Sequence, residues 1–173
     1  VGVLCTAILS LSADPDRRLW LVMDELASLG KVGMLESALT KGRKHGLCCV
    51  AGLQSTAQLD RIYGRESAVV LRSCFRNFCA FAVAKIDPDT SEIFSRALGE
   101  REVDRPVHTE SRSSQGSSKS VSIQRVRERL VLPNELNELP NLTAYLAMAG
   151  DQPSRLIHLK RHELPIVAEP LME

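Results

Sequence analysis

No stretch of the 173 residues stays apolar for the roughly 20 positions that a membrane-spanning helix needs. The greasiest segment, residues 1–11, is broken by Thr6 and Ser10, so the chain is not expected to cross a bilayer by itself. No basic n-region with a cleavage site follows the start, and beginning at Val1 rather than Met reads as a cut inside a longer protein. Metal-ligand spacing is missing too. The five cysteines, Cys5, Cys48, Cys49, Cys74 and Cys79, contain no C-x-x-C pair, and none of the four histidines stands at ligand spacing from one. An odd number of cysteines with apolar neighbours reads as reduced, buried thiols, and hence as a reducing cytoplasm. With 22 Lys+Arg against 21 Asp+Glu, net charge is nearly absent, so any surface that attracts nucleic acid has to be local. There is no internal repeat.

What is present is ordinary for one soluble globular domain: 44% apolar and 25% charged residues, in a length that allows one core. Leu4, Ala7, Ile8 and Leu11 recur at helical spacing. Leu19 to Met23 is an unbroken apolar run followed by Asp24 and Glu25, as in a strand buried on both faces of a parallel sheet. Met34, Leu35, Ala38 and Leu39 predict a helix that closes through a basic stretch, Lys41 to His45, before Gly46. A second apolar run, residues 47–53, delivers Gln54, Ser55 and Thr56. Two short helices parted by Gly64 follow, then a third expected buried strand at 78–84 and a helix after Asp87-Pro88 carrying Ile93, Phe94, Ala97 and Leu98. Strand and helix alternating in this way is the pattern of an α/β fold with a parallel sheet and flanking helices, which binds ligands at the carboxyl ends of its strands.

Beyond residue 100 the composition shifts. Residues 111–120 hold six serines and no apolar residue, which predicts a flexible loop or tip, and the partial alternation on either side predicts a β-hairpin. Residues 101–132 carry seven Lys/Arg against four Asp/Glu, a locally basic segment that the overall balance conceals. A short helix near Pro133 and a final pair of strands complete the reading. The expected organisation is therefore 1–100 as the α/β part, 101–132 as a basic, serine-rich hairpin or loop, 133–163 as a closing helix and strand pair, and 164–173 as a tail.

An apolar strand ending in Asp-Glu has the form of the Walker B motif of P-loop ATPases. A rigid strand end would hold Asp24 where its carboxylate takes a water on Mg²⁺, and Glu25 where it polarises the attacking water. The plain alternative is an acidic strand end that caps the next helix. Gln54, at the end of the next strand, suits a sensor of the γ-phosphate, against a plain turn residue beside a helix cap. Arg43, at the exposed end of the intervening helix, suits a guanidinium that reaches a nucleotide in a neighbouring subunit, against a basic residue that complements a helix terminus. No G-x-x-x-x-G-K-[ST] loop occurs in the 173 residues, so this chain alone is expected to be inactive as an ATPase.

The segment Arg18-Leu-Trp-Leu-Val-Met-Asp-Glu-Leu-Ala-Ser-Leu-Gly-Lys31 resembles the Walker B region of the coupling proteins of bacterial conjugative type IV secretion systems, the TraD/TraG type. Gly42-Arg-Lys-His-Gly46, Gly52-Leu-Gln-Ser-Thr-Ala-Gln-Leu59, Tyr63-Gly64 and Ala97-Leu-Gly-Glu100 continue the resemblance in order. So do Leu130-Val-Leu-Pro133, Leu139-Pro140 and Ala149-Gly-Asp-Gln-Pro153. The resemblance implies a RecA-like P-loop NTPase core, present here in part, of a membrane-anchored homo-hexamer that uses ATP and Mg²⁺. That assembly would deliver relaxase-bound single-stranded DNA to a type IV secretion channel from the cytoplasmic face of the bacterial inner membrane. The chain itself would be soluble and cytoplasmic, its membrane helices and phosphate loop lying before Val1. The resemblance also assigns Asp24 and Glu25 to Mg²⁺ and water, Gln54 to the γ-phosphate, and Arg43 to action in trans.

Candidate DNA contacts are the basic side chains of the hairpin, Lys119, Arg125 and Arg127. Alternative readings are an FtsK/HerA-type DNA translocase, against which the Leu-Pro segment counts, and a truncated, non-catalytic assembly module. A superfamily-two helicase lacks its Asp-Glu-Ala-Asp/His continuation here.

Overall fold

The computed structural model describes residues 1–113 and 116–162, with side chains described outside 109–119. Its first hydrophobic cluster surrounds a parallel pair of strands, β1 (Leu19–Met23) and β2 (Leu47–Ala51), in register from Leu19 opposite Leu47 to Met23 opposite Ala51. Between them run a 3-10 turn (Leu26–Leu29), helix α2 (Leu35–Lys41) and a second 3-10 turn (Gly42–His45). Helix α1 (Gly2–Ser10) precedes β1, and α3 (Thr56–Tyr63) and α4 (Arg65–Cys74) follow β2. Cys5, Met23, Leu26, Leu35, Ala38, Leu59, Tyr63, Ala68 and Leu71 form the cluster. Each fully buried leucine in it contributes about 2 kcal/mol.

The expected strand with two buried faces is buried on one. Leu21 and Met23 point into the cluster, while Trp20 and Val22 are each 67% exposed and Val50 is 48% exposed, because α1 to α4 pack on the same side. The face of α1 is also rotated from the expected one. Cys5, Ile8 and Leu9 turn inward, and Leu4, Ala7 and Leu11 are exposed.

The second cluster, Ala80, Leu98, Val131, Leu136 and Ala147, gathers a three-stranded antiparallel sheet in the order β3 (Phe78–Ala80), β6 (Thr143–Ala147), β7 (Arg155–His158) with α5 (Pro88–Leu98) and α6 (Pro133–Asn137). The third parallel strand expected over 78–84 is thus a correction. Only three residues extend, and they pair antiparallel with β6, Phe78 opposite Ala147, because Val83 turns away to donate to the Leu136 carbonyl. The inward face of α5 is likewise Thr90, Ser91, Ser95 and Leu98 rather than Ile93 and Ala97. Cys79 is exposed, unlike the buried thiol expected of it.

The hairpin β4 (Glu100–Ser113) and β5 (Gly116–Arg129) runs in register for 14 residues a strand. The serine-rich segment expected as a loop is therefore backbone of the two strands, apart from residues 114 and 115, which lie outside the described residues with the 164–173 tail. A two-stranded ribbon is marginal on its own. Its base is fastened to α5, where Arg129 donates twice to the Glu92 carboxylate, at 2.8 and 2.9 Å, and once to Ser95 Oγ at 3.1 Å.

Two glycines set the parallel pair. Gly46 turns the chain into β2 at φ +88°, and a Cβ there would lie 2.6 Å from the Arg17 carbonyl oxygen. At Gly52 a Cβ would lie 1.9 Å from the Asp24 carbonyl oxygen, since Gly52 donates to Met23 and accepts from Leu26 in the crossing of the two strand ends. Gly52→Ala is expected to cost about 3 kcal/mol or more, because the neighbour is backbone and cannot move aside; the urea midpoint measures it.

Helix α5 starts on Asp87, whose carboxylate accepts from the Thr90 amide at 3.2 Å. Burial pushes this carboxyl up, but hydrogen bonds from Ser55 and Thr90 outweigh burial and hold it below the ordinary aspartate range. Its stabilisation is present above the unfolded-state pKa and lost as pH falls through the lower folded value. Urea titrations at stepped pH should therefore show that Asp87→Asn flattens the acid limb of stability, with wild type and variant converging at the acid end.

Candidate active site

The carboxyl edge of the parallel pair holds three of the four expected site residues. Asp24 is exposed at the end of β1, and Glu25 follows half-buried as the residue that opens the 3-10 turn, its carbonyl accepting from the Ser28 hydroxyl at 2.8 Å and the Ser28 amide at 3.2 Å. Gln54 is exposed just past β2. The close crossing at Gly52 is what brings these two strand ends together.

Arg43 lies elsewhere. It is exposed in the 3-10 turn that precedes β2, at the amino edge of the sheet. Five residues of strand separate the two edges, about 17 Å at ~3.3 Å per residue. An arginine side chain does not span that length, so Arg43 and the Asp24–Glu25 pair of one chain cannot act on the same phosphate. Around Arg43 is a groove of about 890 Å³ lined by Arg18, Lys41 and Lys44 as well, with Asp14 as its one carboxylate. Reading the sequence singled out Arg43 alone; the run Lys41 to His45 was the available signal for its two lysine neighbours, whereas Arg18 comes from a separate loop.

The carboxyl edge suits a hard cation. Glu25 Oε1 is buried with no hydrogen-bond partner among the described residues, and Asp24 presents a second carboxylate to solvent one residue earlier. Among the described residues no three of His, Cys, Asp and Glu converge as a complete ligand set. One or two carboxylates completed by phosphate oxygens and water is how Mg²⁺ is usually held, so this donor set fits it.

Neither Asp87 nor Thr90 was anticipated. Thr90 Oγ1 accepts from the Thr56 amide at 3.0 Å and lies 3.0 Å from the Thr56 hydroxyl and 3.5 Å from that of Ser55. Ser55 in turn caps α3 by accepting from the Ala57 amide at 3.2 Å. The turn immediately after Gln54 is therefore tied to α5, which belongs to the second cluster. At the far end of α3, the Tyr63 hydroxyl accepts from the Val32 amide at 3.2 Å and donates to the Gly30 carbonyl at 3.3 Å, pinning the loop that follows the 3-10 turn.

The hairpin's basic side chains are largely matched. Arg125 meets Asp104 at 3.1 Å and Glu102 at 3.9 Å, Arg127 meets Glu102 at 3.5 Å, and Arg105 pairs with Glu128. Lys119 stands opposite Glu110 in the strand register, and its side chain lies outside the described residues. A phosphate approaching Arg125 or Arg127 would exchange one partner for another, a small change at an exposed pair.

Comparison with known proteins identifies the family. Residues 1–160 match the family described as the type IV secretion-system coupling protein DNA-binding domain. The chain is 31% identical over 172 residues to the coupling protein TraD of Escherichia coli strain K12, covering 97% of this chain and 23% of that protein. It is 27% identical over 175 residues to the type IV secretion system-coupling protein VirD4 of Bartonella henselae, covering 98% and 27%. Among solved structures, unbound conjugative coupling protein TrwBdeltaN70 superposes with a TM-score of 0.81 at 48% identity, over 94% of this chain and 36% of that one. TrwB in complex with ADP and Mg²⁺ superposes with a TM-score of 0.80 at 46% identity, over 95% and 36%. The chain thus spans about a quarter of these curated relatives and about a third of the TrwB chains. Its fold is the α/β fold of TrwB, and the chain belongs to the type IV secretion-system coupling protein family.

Proposed function

We propose that this chain supplies the water-activating edge and one subunit-facing edge of a conjugative coupling ATPase. The observation that carries this reading is the separation of the sheet's two edges. Asp24, Glu25 and Gln54 share the carboxyl edge, and Arg43 sits in a cationic groove at the opposite one. In a ring of identical subunits, the amino edge of one copy faces the nucleotide on the next, so Arg43 acts in trans while its own carboxylates act in cis.

When bound, Mg²⁺·ATP would supply the γ-phosphoryl group and the cation that neutralises its oxygens; TrwB forms complexes with a non-hydrolysable ATP analogue and with ADP and Mg²⁺. Asp24 would hold a water of that cation, and a Glu25 carboxylate oxygen would take the proton of the attacking water. Gln54, exposed at the strand end, would donate its amide to a γ-phosphate oxygen. The guanidinium of Arg43 from a neighbouring copy would meet the charge that develops on transfer.

The wider reading is a homo-hexamer on the cytoplasmic face of the bacterial inner membrane that passes relaxase-bound single-stranded DNA to a type IV secretion channel. It is supported by the family's description as a DNA-binding domain and by the TraD and VirD4 relatives. Among the described residues no helix is long and apolar enough to cross a membrane. The organisation read from the sequence is a motor part over 1–100, an arm over 101–132, a closing helix and strand pair over 133–163 and a tail over 164–173. Lys119, Arg125 and Arg127 are the arm's candidate phosphate contacts.

In the intact protein, Glu25→Gln should lower ATP turnover by about 10²-fold or more while nucleotide affinity is kept, because the amide preserves shape but takes no proton. Steady-state hydrolysis beside calorimetric binding checks it, and undiminished turnover overturns the assignment. Mixing subunits tests the trans arrangement separately: an inactive Glu25→Gln copy and an inactive Arg43→Ala copy should regain part of the turnover in mixed rings. No recovery on mixing would mean that Glu25 and Arg43 have to come from the same copy, which overturns the trans arrangement.

A further inference from the structure

Helix α5 touches the turn after Gln54 near its start and the base of the hairpin farther along. At its first turn, buried Thr90 Oγ1 accepts from the Thr56 amide at 3.0 Å and reaches the Thr56 and Ser55 hydroxyls, while its own amide is held by Asp87. Two and five residues onward, Glu92 and Ser95 receive the Arg129 guanidinium in a three-bond fork, and Ser95 Oγ donates to the Val131 carbonyl at 2.6 Å. Gly99 separates α5 from β4, and its carbonyl accepts from the Leu130 amide at 2.9 Å. The hairpin therefore leaves and re-enters the body at the end of this helix.

These contacts differ from ordinary packing in two respects. Thr56, Thr90, Ser91 and Ser95 are all buried polar residues, on faces that helix periodicity would fill with apolar side chains. Hydrophobic contacts tolerate sliding, whereas a buried hydroxyl that loses its partner is left unsatisfied at a cost. The Thr90 junction also lies between the two hydrophobic clusters, so a shift of the Gln54 turn is passed to α5 as a rigid displacement rather than absorbed by repacking.

We propose that α5 is a strut that transmits the state of the Gln54 turn to the β4–β5 arm, with Thr90 as a positioning residue for Gln54 and the Arg129 fork, held by Glu92 and Ser95, as the arm's fastening. The proposal rests on the ATPase reading above, in which Gln54 meets the γ-phosphate. When the turn moves toward that phosphate, Thr56 carries Thr90 and the first turn of α5 with it. The helix moves as a rod and tilts the hairpin base. The tilt grows along the 14-residue strands, past their middle, where Val121 and Ile123 are exposed.

The test uses the intact protein, with amide hydrogen exchange of β4–β5 read with and without a non-hydrolysable ATP analogue, beside steady-state hydrolysis. In the unsubstituted protein the analogue should change exchange at the hairpin base at least twofold. Thr90→Val should keep KM for ATP, lower kcat roughly tenfold or more through misplacement of Gln54, and erase the analogue-dependent exchange difference. Thr90→Ser, which keeps the hydroxyl, should restore both. Glu92→Ala should leave DNA-independent turnover unchanged and still erase the exchange difference. A merely structural Thr90 would change exchange equally with and without the analogue and leave kcat alone, and that result overturns the proposal. So does an exchange difference that survives both Thr90→Val and Glu92→Ala, or an unsubstituted protein that hydrolyses ATP while its arm is indifferent to the analogue. If the intact protein neither binds nor hydrolyses ATP, the ATPase reading falls and the strut with it.

Discussion

The structure depends on one close approach, that of Gly52 to the backbone of Asp24. Two parallel strands of five residues each would ordinarily splay once their ladder ends. Here the ladder is continued by Gly52, which donates to Met23 at 2.8 Å and accepts from Leu26 at 3.0 Å. A side chain at that position has nowhere to go. The contact holds the first residues of the 3-10 turn against the end of β2, so Asp24 and Glu25 are fixed relative to Gln54 by main chain rather than by side-chain packing. That is a stiffer mount for groups whose proposed chemistry depends on position to a fraction of an ångström. The groove at Arg43 depends on the other end of the same pair, where Gly46 allows the chain to pass under the Arg17 carbonyl and enter β2.

Much of this was legible in the residues, and the illegible part has physical reasons. The apolar runs at 19–23 and 47–51 announce strands, and the Asp-Glu and Gln-Ser-Thr that follow announce a polar edge. Neither run alternates, so neither reveals that Trp20 and Val22 stay exposed; a run without period describes a strand but not how many of its faces are covered. In α1, apolar residues lie on nearly every side, so helical spacing alone offers several equivalent faces and the wrong one was as well supported as the right one. In α5 the inward face is Thr90, Ser91 and Ser95 beside Leu98, and an apolar pattern is blind to the first three by construction. The strand expected at 78–84 failed because apolar composition continues through Ala82, Val83 and Ala84 after the extended backbone has ended. Pairing partner and direction are long-range properties, and β3 takes its partner from 60 or more residues downstream.

The hairpin shows the limit of counting charges. Seven basic residues against four acidic ones in 101–132 give a basic segment, yet strand register decides what those charges do. Arg125 stands opposite Asp104 and Arg127 opposite Glu102, so the ladder neutralises its own cations across the ribbon. Charge that is spread along a sequence as excess becomes, once paired, a set of exposed bridges of small net worth. These bridges give a two-stranded ribbon lateral cohesion that a hydrophobic core would otherwise supply. Exposed bridges weaken with salt, so the arm's stiffness and any attraction it has for phosphate fall together as ionic strength rises.

The two edges of the parallel sheet impose a further constraint on assembly. If the carboxylates and Arg43 serve the same reaction, a single copy is incomplete whatever else the polypeptide contains, because about 17 Å of strand lies between them. Completion requires a second copy whose amino edge approaches the first copy's carboxyl edge. That contact joins two different surfaces, and repeated head to tail it closes into a ring or runs on as a filament. A two-fold dimer meets the same requirement only if each amino edge lies reciprocally against the other copy's carboxyl edge. Under that condition the surface that has to approach the neighbour's carboxyl edge is the cationic groove of Arg18, Lys41, Arg43 and Lys44, whose one carboxylate is Asp14, on a protein whose overall charge is close to zero.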